Sequence, residues 1–139
     1  MSSIERVNID ASFKDCDKCS DGTTSLNSMD LWFANMTSLK TIDGLESIKS
    51  GIMYKFNGTF MNCGASSFAK LDMSSLLTAN TAQCEAVSMF DSSNFKEIVV
   101  PNYDSVTSSK FFNVTKMFYN CRLLQSVHTA QVNERWFVN

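Results

Sequence analysis

The chain has 139 residues, of which 12 are basic and 14 acidic, with 44% hydrophobic and 19% charged residues. This length and composition predict one globular domain over residues 1–139 and exclude an intrinsically disordered chain. A net charge of −2 without a dense Lys/Arg cluster argues against nucleic-acid binding. No apolar run reaches the roughly 18–20 residues that a membrane span needs.

The first predicted element lies in "RVNIDASF", where Val7, Ile9, Ala11 and Phe13 recur at every second position. This alternation is typical of a strand, which would precede the first repeat within an N-terminal cap over 1–25. The initial "MSSIERVNID" has no basic region followed by an apolar one, so no secretion signal is predicted. We therefore expect a location in a virion or in the cytoplasm, or at a cell surface if a signal precedes this sequence.

A Cys-x-x-Cys pair, Cys16 and Cys19, follows in "KDCDKCSD". A structural zinc site needs two further thiolates or imidazoles, and a redox thiol is typically activated at a helix N-terminus. Here Asp15, Asp17 and Asp21 surround the pair, and their charge would raise the pKa of either thiol. A plain loop is therefore favoured over a metal or redox role, and no cofactor is predicted. The odd total of five cysteines likewise favours reduced thiols.

Four related units run through residues 26–130, each built around a phenylalanine. The aligned phenylalanines are Phe33, Phe60, Phe90 and Phe118, at steps of 27, 30 and 28 residues. Four positions before them stand Met29, Phe56, Ala86 and Val114. Two positions after them stand Asn35, Asn62, Ser92 and Asn120, and the next position holds Met36, Cys63, Ser93 and Cys121. An apolar pair three residues apart then ends each unit, at Ile42, Leu71, Ile98 or Val127.

The four-residue spacing from Met29 to Phe33 would put two apolar side chains on one face of a short helix. Each unit therefore predicts a short helix, a turn containing Asn or Ser, and a short strand centred on its last apolar residue. One unit cannot bury its apolar face alone, so the units should stack, with each repeated Asn bonding backbone groups of the next unit. The predicted fold class is α/β, a short leucine-rich-repeat-like solenoid of about four coils.

The run "MFYNCRLLQSV", with the weaker copies "FMNCGASSFAKL" and "MFDSSNFKEI", resembles the BspA-like leucine-rich repeat. It is most similar to the short-repeat branch found in bacterial and mycoplasma surface proteins and in some phage proteins. The resemblance covers about residues 26–130. It implies a right-handed solenoid used for adhesion or partner binding, with no catalytic residues to transfer.

Three further side chains could suggest chemistry. Cys63 and Cys121 occupy equivalent positions two units apart, and we expect both to pack inside the stack and not to act as nucleophiles. His128 is the single histidine and follows the last predicted strand. No motif brings it to a cysteine or serine, so catalysis is not expected there.

The sequence finishes with "VNERWFVN", in which Trp136, Phe137 and Val138 are consecutive. Residues 131–139 would either fold back as a C-terminal cap, which is the favoured interpretation, or form a partner-binding edge. The second reading rests on the rule that contiguous exposed apolar surface usually marks an interface.

Together these features predict a non-enzymatic protein-interaction or structural module. It would dock onto a larger assembly, such as a phage virion protein or a receptor-recognition protein. Two alternatives stay open: a bacterial surface adhesin domain, and a small metal- or redox-active protein that uses Cys16 and Cys19. The expected partner is a protein or a cell-surface receptor, and the assemblies considered are a homo-oligomer and a virion.

Overall fold

The computed structural model describes residues 3–9, 28–45, 55–74, 85–100 and 113–128. They form five parallel strands of three residues each, in two sheets. The strands are β1 Arg6–Asn8, β2 Thr41–Asp43, β3 Lys70–Asp72, β4 Glu97–Val99 and β5 Ser126–His128. One sheet pairs β1 with β2, and the other has the order β3-β4-β5.

Each of the last four strands is centred on a residue that the repeat alignment predicts. Ile42, Leu71, Ile98 and Val127 are the middle residues of β2 to β5. In β3 and β4 the middle side chain is buried and its neighbours point towards solvent or are half-buried, because successive side chains of a strand alternate between its faces. The N-terminal strand predicted over Val7 to Phe13 is present at Arg6–Asn8 as β1, which pairs with β2 in the register Val7↔Ile42. Ala11 and Phe13 of that prediction lie outside the described residues.

The two sheets separate between β2 and β3. The connection from the repeat phenylalanine to the apolar pair is two residues longer in the second unit, where it includes Gly64 and Ala65, than in the first. The N–H groups of these two residues donate to Met36 and Leu39 of the first unit, at 3.1 and 2.8 Å, so the units remain bonded before the strands begin. The longer connection coincides with the loss of direct pairing between β2 and β3.

Four stacked turn segments, residues 29–36, 56–63, 86–93 and 114–121, occupy the positions predicted to be helices. Their backbone N–H groups alternate between two kinds of acceptor. In the first segment Phe33 donates to the second segment, while Ala34 and Met36 donate to carbonyls three residues earlier in their own segment. All twelve bonds between segments are 2.7–3.0 Å long. A helix would instead bond every N–H to the carbonyl four residues earlier.

A left-handed backbone recurs at two positions of every segment. The residues are Leu31, Gly58, Ser88 and Lys116 at the first position and Asn35, Asn62, Ser92 and Asn120 at the second, with φ between 51° and 62°. A positive φ at the third residue is what a type II turn requires, and it interrupts any right-handed helix. Two successive four-residue turns thus reproduce the spacing of four that suggested a helix.

The core lies between the turn segments and the strands. Phe33, Phe60, Phe90 and Phe118 form one column of near-parallel rings, with centroids 5.0, 5.7 and 5.4 Å apart. Phe95 meets the rings of Phe60 and Phe68 edge-on at 6.0 and 5.0 Å. Offset-parallel and edge-on pairs of this kind stabilise a core beyond the burial of their area.

The predicted α/β leucine-rich-repeat-like solenoid, with a helix in each coil, is therefore wrong. The described residues contain five short strands split between two small sheets, and essentially no helix. The reason is that alternate N–H groups bond to the next turn segment, while those between them close turns to the carbonyl three residues earlier, so no run of helical bonds forms. Across the described ranges, no helix is long and apolar enough to span a membrane.

Candidate binding surface at the last turn segment

The fourth turn segment, residues 114–121, ends the described stack with a row of backbone donors. Three of its carbonyls, together with that of the preceding Asn113, accept four N–H groups from the third segment, at 2.8–2.9 Å. By the same pattern its own outward donors are the N–H groups of Val114, Lys116, Phe118 and Asn120, which we call the terminal donor row. Within the described parts of the chain, no acceptor is bonded to these four groups. The row has the same spacing as the three rows that bond to a neighbouring segment.

The phenylalanine column loses its cover at the same end. Phe33 is 3% exposed and the next two rings are fully buried, whereas Phe118 is only partly buried. One face of the Phe118 ring stacks on Phe90. The burial gradient shows that the first segment is covered and the last is accessible, so the two ends of the stack differ.

Two exposed apolar side chains follow Phe118 in the sequence. Tyr119 is 61% exposed and Leu123 is 37% exposed, whereas most other large apolar side chains in the described ranges are buried or half-buried. The ammonium of Lys116 lies 5.7 Å from the centre of the Tyr119 ring, which holds both side chains beside the terminal donor row. An aromatic next to unsatisfied donors is typical of an interface.

The charge at this end is one-sided. Residues 113–128 contain Lys116, Arg122 and His128 and no carboxylate, whereas residues 85–100 contain three carboxylates and one lysine. The guanidinium of Arg122 donates through Nε to Oδ1 of Asn120 at 2.9 Å, which places its charge close to the last donor of the row. The surface therefore favours an acidic partner.

The aligned polar residues form a ladder along the edge of the stack. Asn62 donates through Nδ2 to Oδ1 of Asn35 at 3.0 Å, and Asn120 donates to Oγ of Ser92 at 3.3 Å. All four have positive φ, which Asn adopts more readily than most residues. The repeated Asn is thus explained by side-chain bonds between neighbouring turns and by backbone geometry. Its predicted partner, a backbone group of the next unit, is not what Asn35 and Asn62 use.

The two described cysteines lie in one column beside the phenylalanines. Cys63 is fully buried, and burial raises the pKa of its thiol to about 12. Cys121 is partly buried; its Sγ lies 2.9 Å from the Phe90 carbonyl, to which it donates, and burial raises its pKa as well. Thiols held in the protonated form are poor nucleophiles, so both are packing residues.

His128 lies on the exposed face of the three-stranded sheet. Its Nε2 is 3.2 Å from Oε1 of Glu97, and the same oxygen is 3.4 Å from Nζ of Lys70. The three side chains are one-third to more than half exposed, so these contacts contribute about 0–1 kcal/mol each. They align the outer faces of neighbouring strands.

Several predicted site residues lie outside the described ranges. These are Cys16, Cys19, Trp136, Phe137 and Val138. Among the residues that are described, no group of three or more His, Cys, Asp or Glu side chains could hold a metal ion. The metal or redox interpretation of the Cys-x-x-Cys pair and the role of the tail stay predictions.

The terminal donor row has no signature in the sequence. It consists of backbone N–H groups, which every residue except proline carries, so no residue type marks it. The absence of carboxylates from 113–128 was visible in the sequence and could have directed attention to this end.

Comparison with protein-family models, curated proteins and solved structures found no match to this chain. The resemblance of "MFYNCRLLQSV" to BspA-like repeats therefore stays a prediction, and the solenoid with a helix in each coil that was predicted with it is not the observed fold.

Proposed function

We propose that this protein is a non-enzymatic interaction module that docks onto a larger assembly, such as a virus particle, through its last turn segment. The observation that carries the proposal is the coincidence at one end of the stack of the terminal donor row, the accessible Phe118 ring, and exposed Tyr119 and Leu123. A partner that covers this end would remove apolar side-chain area from water and, at the same time, supply acceptors for the terminal donor row.

The first test is the mass of the native particle, measured by light scattering behind a sizing column after recovery from the source that makes the protein. We expect a discrete mass above the 15.6 kDa of one chain. A Tyr119→Glu/Leu123→Glu variant should fall to the mass of one chain, because two charges would be buried without partners.

The matched control is Leu31→Glu, since Leu31 is 58% exposed but lies on the first turn segment. Its native mass should equal that of the wild type. The proposal is refuted if the native wild type has the mass of a single chain, or if the double variant keeps the heavier mass while its urea unfolding midpoint is unchanged.

A further inference from the structure

We infer that the terminal donor row binds an acidic segment of a partner protein that folds as two successive turns, with an aromatic side chain of that segment stacked on Phe118. This inference rests on the proposed function and names the chemistry of the partner. Three features of the described residues lead to it: the spacing of the donors, the geometry of the ring column and the charge of the surface.

The donor spacing defines the backbone of the occupant. In the interior, the N–H groups of Phe56, Gly58, Phe60 and Asn62 donate to four carbonyls at every second residue of 85–91, with lengths of 2.7–2.9 Å. The terminal donor row has the same sequence spacing in Val114, Lys116, Phe118 and Asn120. It therefore requires a segment of at least seven residues that presents carbonyls at alternate positions, as the turn segment 85–91 does.

The ring column defines one side chain of the occupant. Each interior phenylalanine contacts a ring on both sides at 5.0–5.7 Å, and the ring planes are within 10° of parallel. The residue that supplies this ring in the third segment is Phe90, which lies between the accepting carbonyls of Met89 and Asp91. An occupant with an aromatic residue at the equivalent position would continue the column over Phe118.

The charges select an acidic occupant and argue against a second copy. Lys116, Arg122 and four N–H dipoles present positive potential at this end. Two fourth segments facing each other would oppose donors to donors and cations to cations. A head-to-tail contact needs an accessible first segment, but Met29 and Phe33 there are 0% and 3% exposed.

The chain itself supplies a probe. The peptide "EAVSMFDS", residues 85–92, contains the four accepting carbonyls, the aromatic residue and two carboxylates in the required order. Blocking both ends removes terminal charges, and a fluorophore permits an anisotropy titration against the full-length protein. We expect saturable binding that weakens at least tenfold when the peptide carries Phe90→Ala. It should weaken severalfold when the peptide carries Glu85→Gln and Asp91→Asn.

Protein variants locate the site. Lys116→Glu/Arg122→Glu should weaken binding at least tenfold, whereas Lys40→Glu, a charge reversal at the residue before β2, should leave it unchanged. Phe118→Ala should also weaken binding at least tenfold. Lys116 and Arg122 are exposed, so the charge variant should fold and keeps the test decisive even if Phe118→Ala does not fold. The urea unfolding midpoint of each protein is measured to check folding.

Amide hydrogen exchange tests the backbone contacts. In the free protein the amides of the terminal donor row should exchange at least tenfold faster than those of Ala86, Ser88, Phe90 and Ser92, the equivalent row that is already bonded. Adding the peptide should slow the first set and leave the second set unchanged.

Each opposing outcome has a definite meaning. Absence of saturable binding, binding that ignores the peptide's carboxylates, or binding that survives Lys116→Glu/Arg122→Glu overturns the inference. Amides of the terminal donor row that are protected in the free wild type, but not in a full-length Trp136→Ser/Phe137→Ser variant, would assign the row to the chain's own tail and also overturn it. The proposed function is decided separately by the native mass, so docking through Tyr119 and Leu123 can survive failure of the peptide experiment.

Discussion

Because the backbone at Asn62 is left-handed, we predict that glycine is a more stable substitution than alanine there, the reverse of the usual order. Asn62 has φ of 51°, and its side chain bonds Asn35 at an exposed edge. Asn62→Ala removes the bond, for about 0.5 kcal/mol, and places a less tolerant Cβ in the left-handed region, for about 1–2 kcal/mol. Asn62→Gly also removes the bond and costs about 0.5–1 kcal/mol in backbone freedom, but it places no Cβ in the left-handed region. Alanine should therefore lower the free energy of unfolding by about 0.5–1 kcal/mol more than glycine.

The neighbouring residue supplies the control. Met61 is not among the residues with positive φ, so Met61→Ala and Met61→Gly lose the same side chain and differ only in backbone freedom. At this position glycine should be the less stable of the two by about 0.5–1 kcal/mol. Urea unfolding of the four variants, compared at equal slope, measures both differences. If alanine is the more stable substitution at Asn62 as well as at Met61, the left-handed turn is not what selects Asn there.

Three further predictions concern the core, a thiol and a glycine. Phe60 is fully buried between two rings, so Phe60→Ala should lower the free energy of unfolding, measured in urea, by about 3–5 kcal/mol. Phe118 has one described ring partner, so Phe118→Ala should lower it by about half as much. The Cys63 thiol has a folded pKa of about 12 against an ordinary 9.0, so its stabilising contribution is complete below pH 9 and is lost between pH 9 and 12. Cys63→Ala should therefore flatten the decline of unfolding free energy in that window by up to about 1.4 kcal/mol per pH unit. Gly44→Ala should destabilise the β1–β2 pair and expose the Ile9 amide to hydrogen exchange, because φ is 86° and the new Cβ would overlap the Ile9 carbonyl oxygen.

Each of these expectations has an opposite result that would count against it. Equal losses at Phe60 and Phe118 would mean that both faces of the last ring are covered. An unchanged decline above pH 9 in Cys63→Ala would mean that this thiol ionises with equal ease in both states. Continued protection of the Ile9 amide in Gly44→Ala would show that the backbone adjusts to the added methyl group at little cost.

The strands could be located from the sequence because their signal is local and chemical. Ile42, Leu71, Ile98 and Val127 are the second apolar residue of a pair three residues apart that follows each repeat phenylalanine, and each is the centre of a strand. Burial of one side chain in three is enough to define so short an element. The division of the strands into two sheets coincides with a connection that is two residues longer in the second unit than in the first. In the sequence this difference is visible only as an insertion.

The helices were wrongly predicted because a spacing of four has two structural origins. In a helix Met29 and Phe33 would lie on one face, but in the structure each is the first residue of a four-residue turn. The Asn column at the second left-handed position was a clue to turns. The first left-handed position holds Leu31, Gly58, Ser88 and Lys116, which share no chemistry, so its backbone conformation could not be read from residue type. The candidate surface was hidden for a related reason, since its donors belong to the main chain.

The rows of hydrogen bonds between turn segments have a consequence for how the length of this chain can vary. The isolated bridges join Ser28 to Lys55, Lys55 to Glu85 and Glu85 to Asn113, which closes loops of unequal length. Loop-closure entropy grows only with the logarithm of length, so lengthening such a loop from 27 to 30 residues costs about 0.1 kcal/mol. The connections between turns are thus nearly free to gain or lose residues over evolutionary time, while an insertion inside a turn would shift every bond of its row.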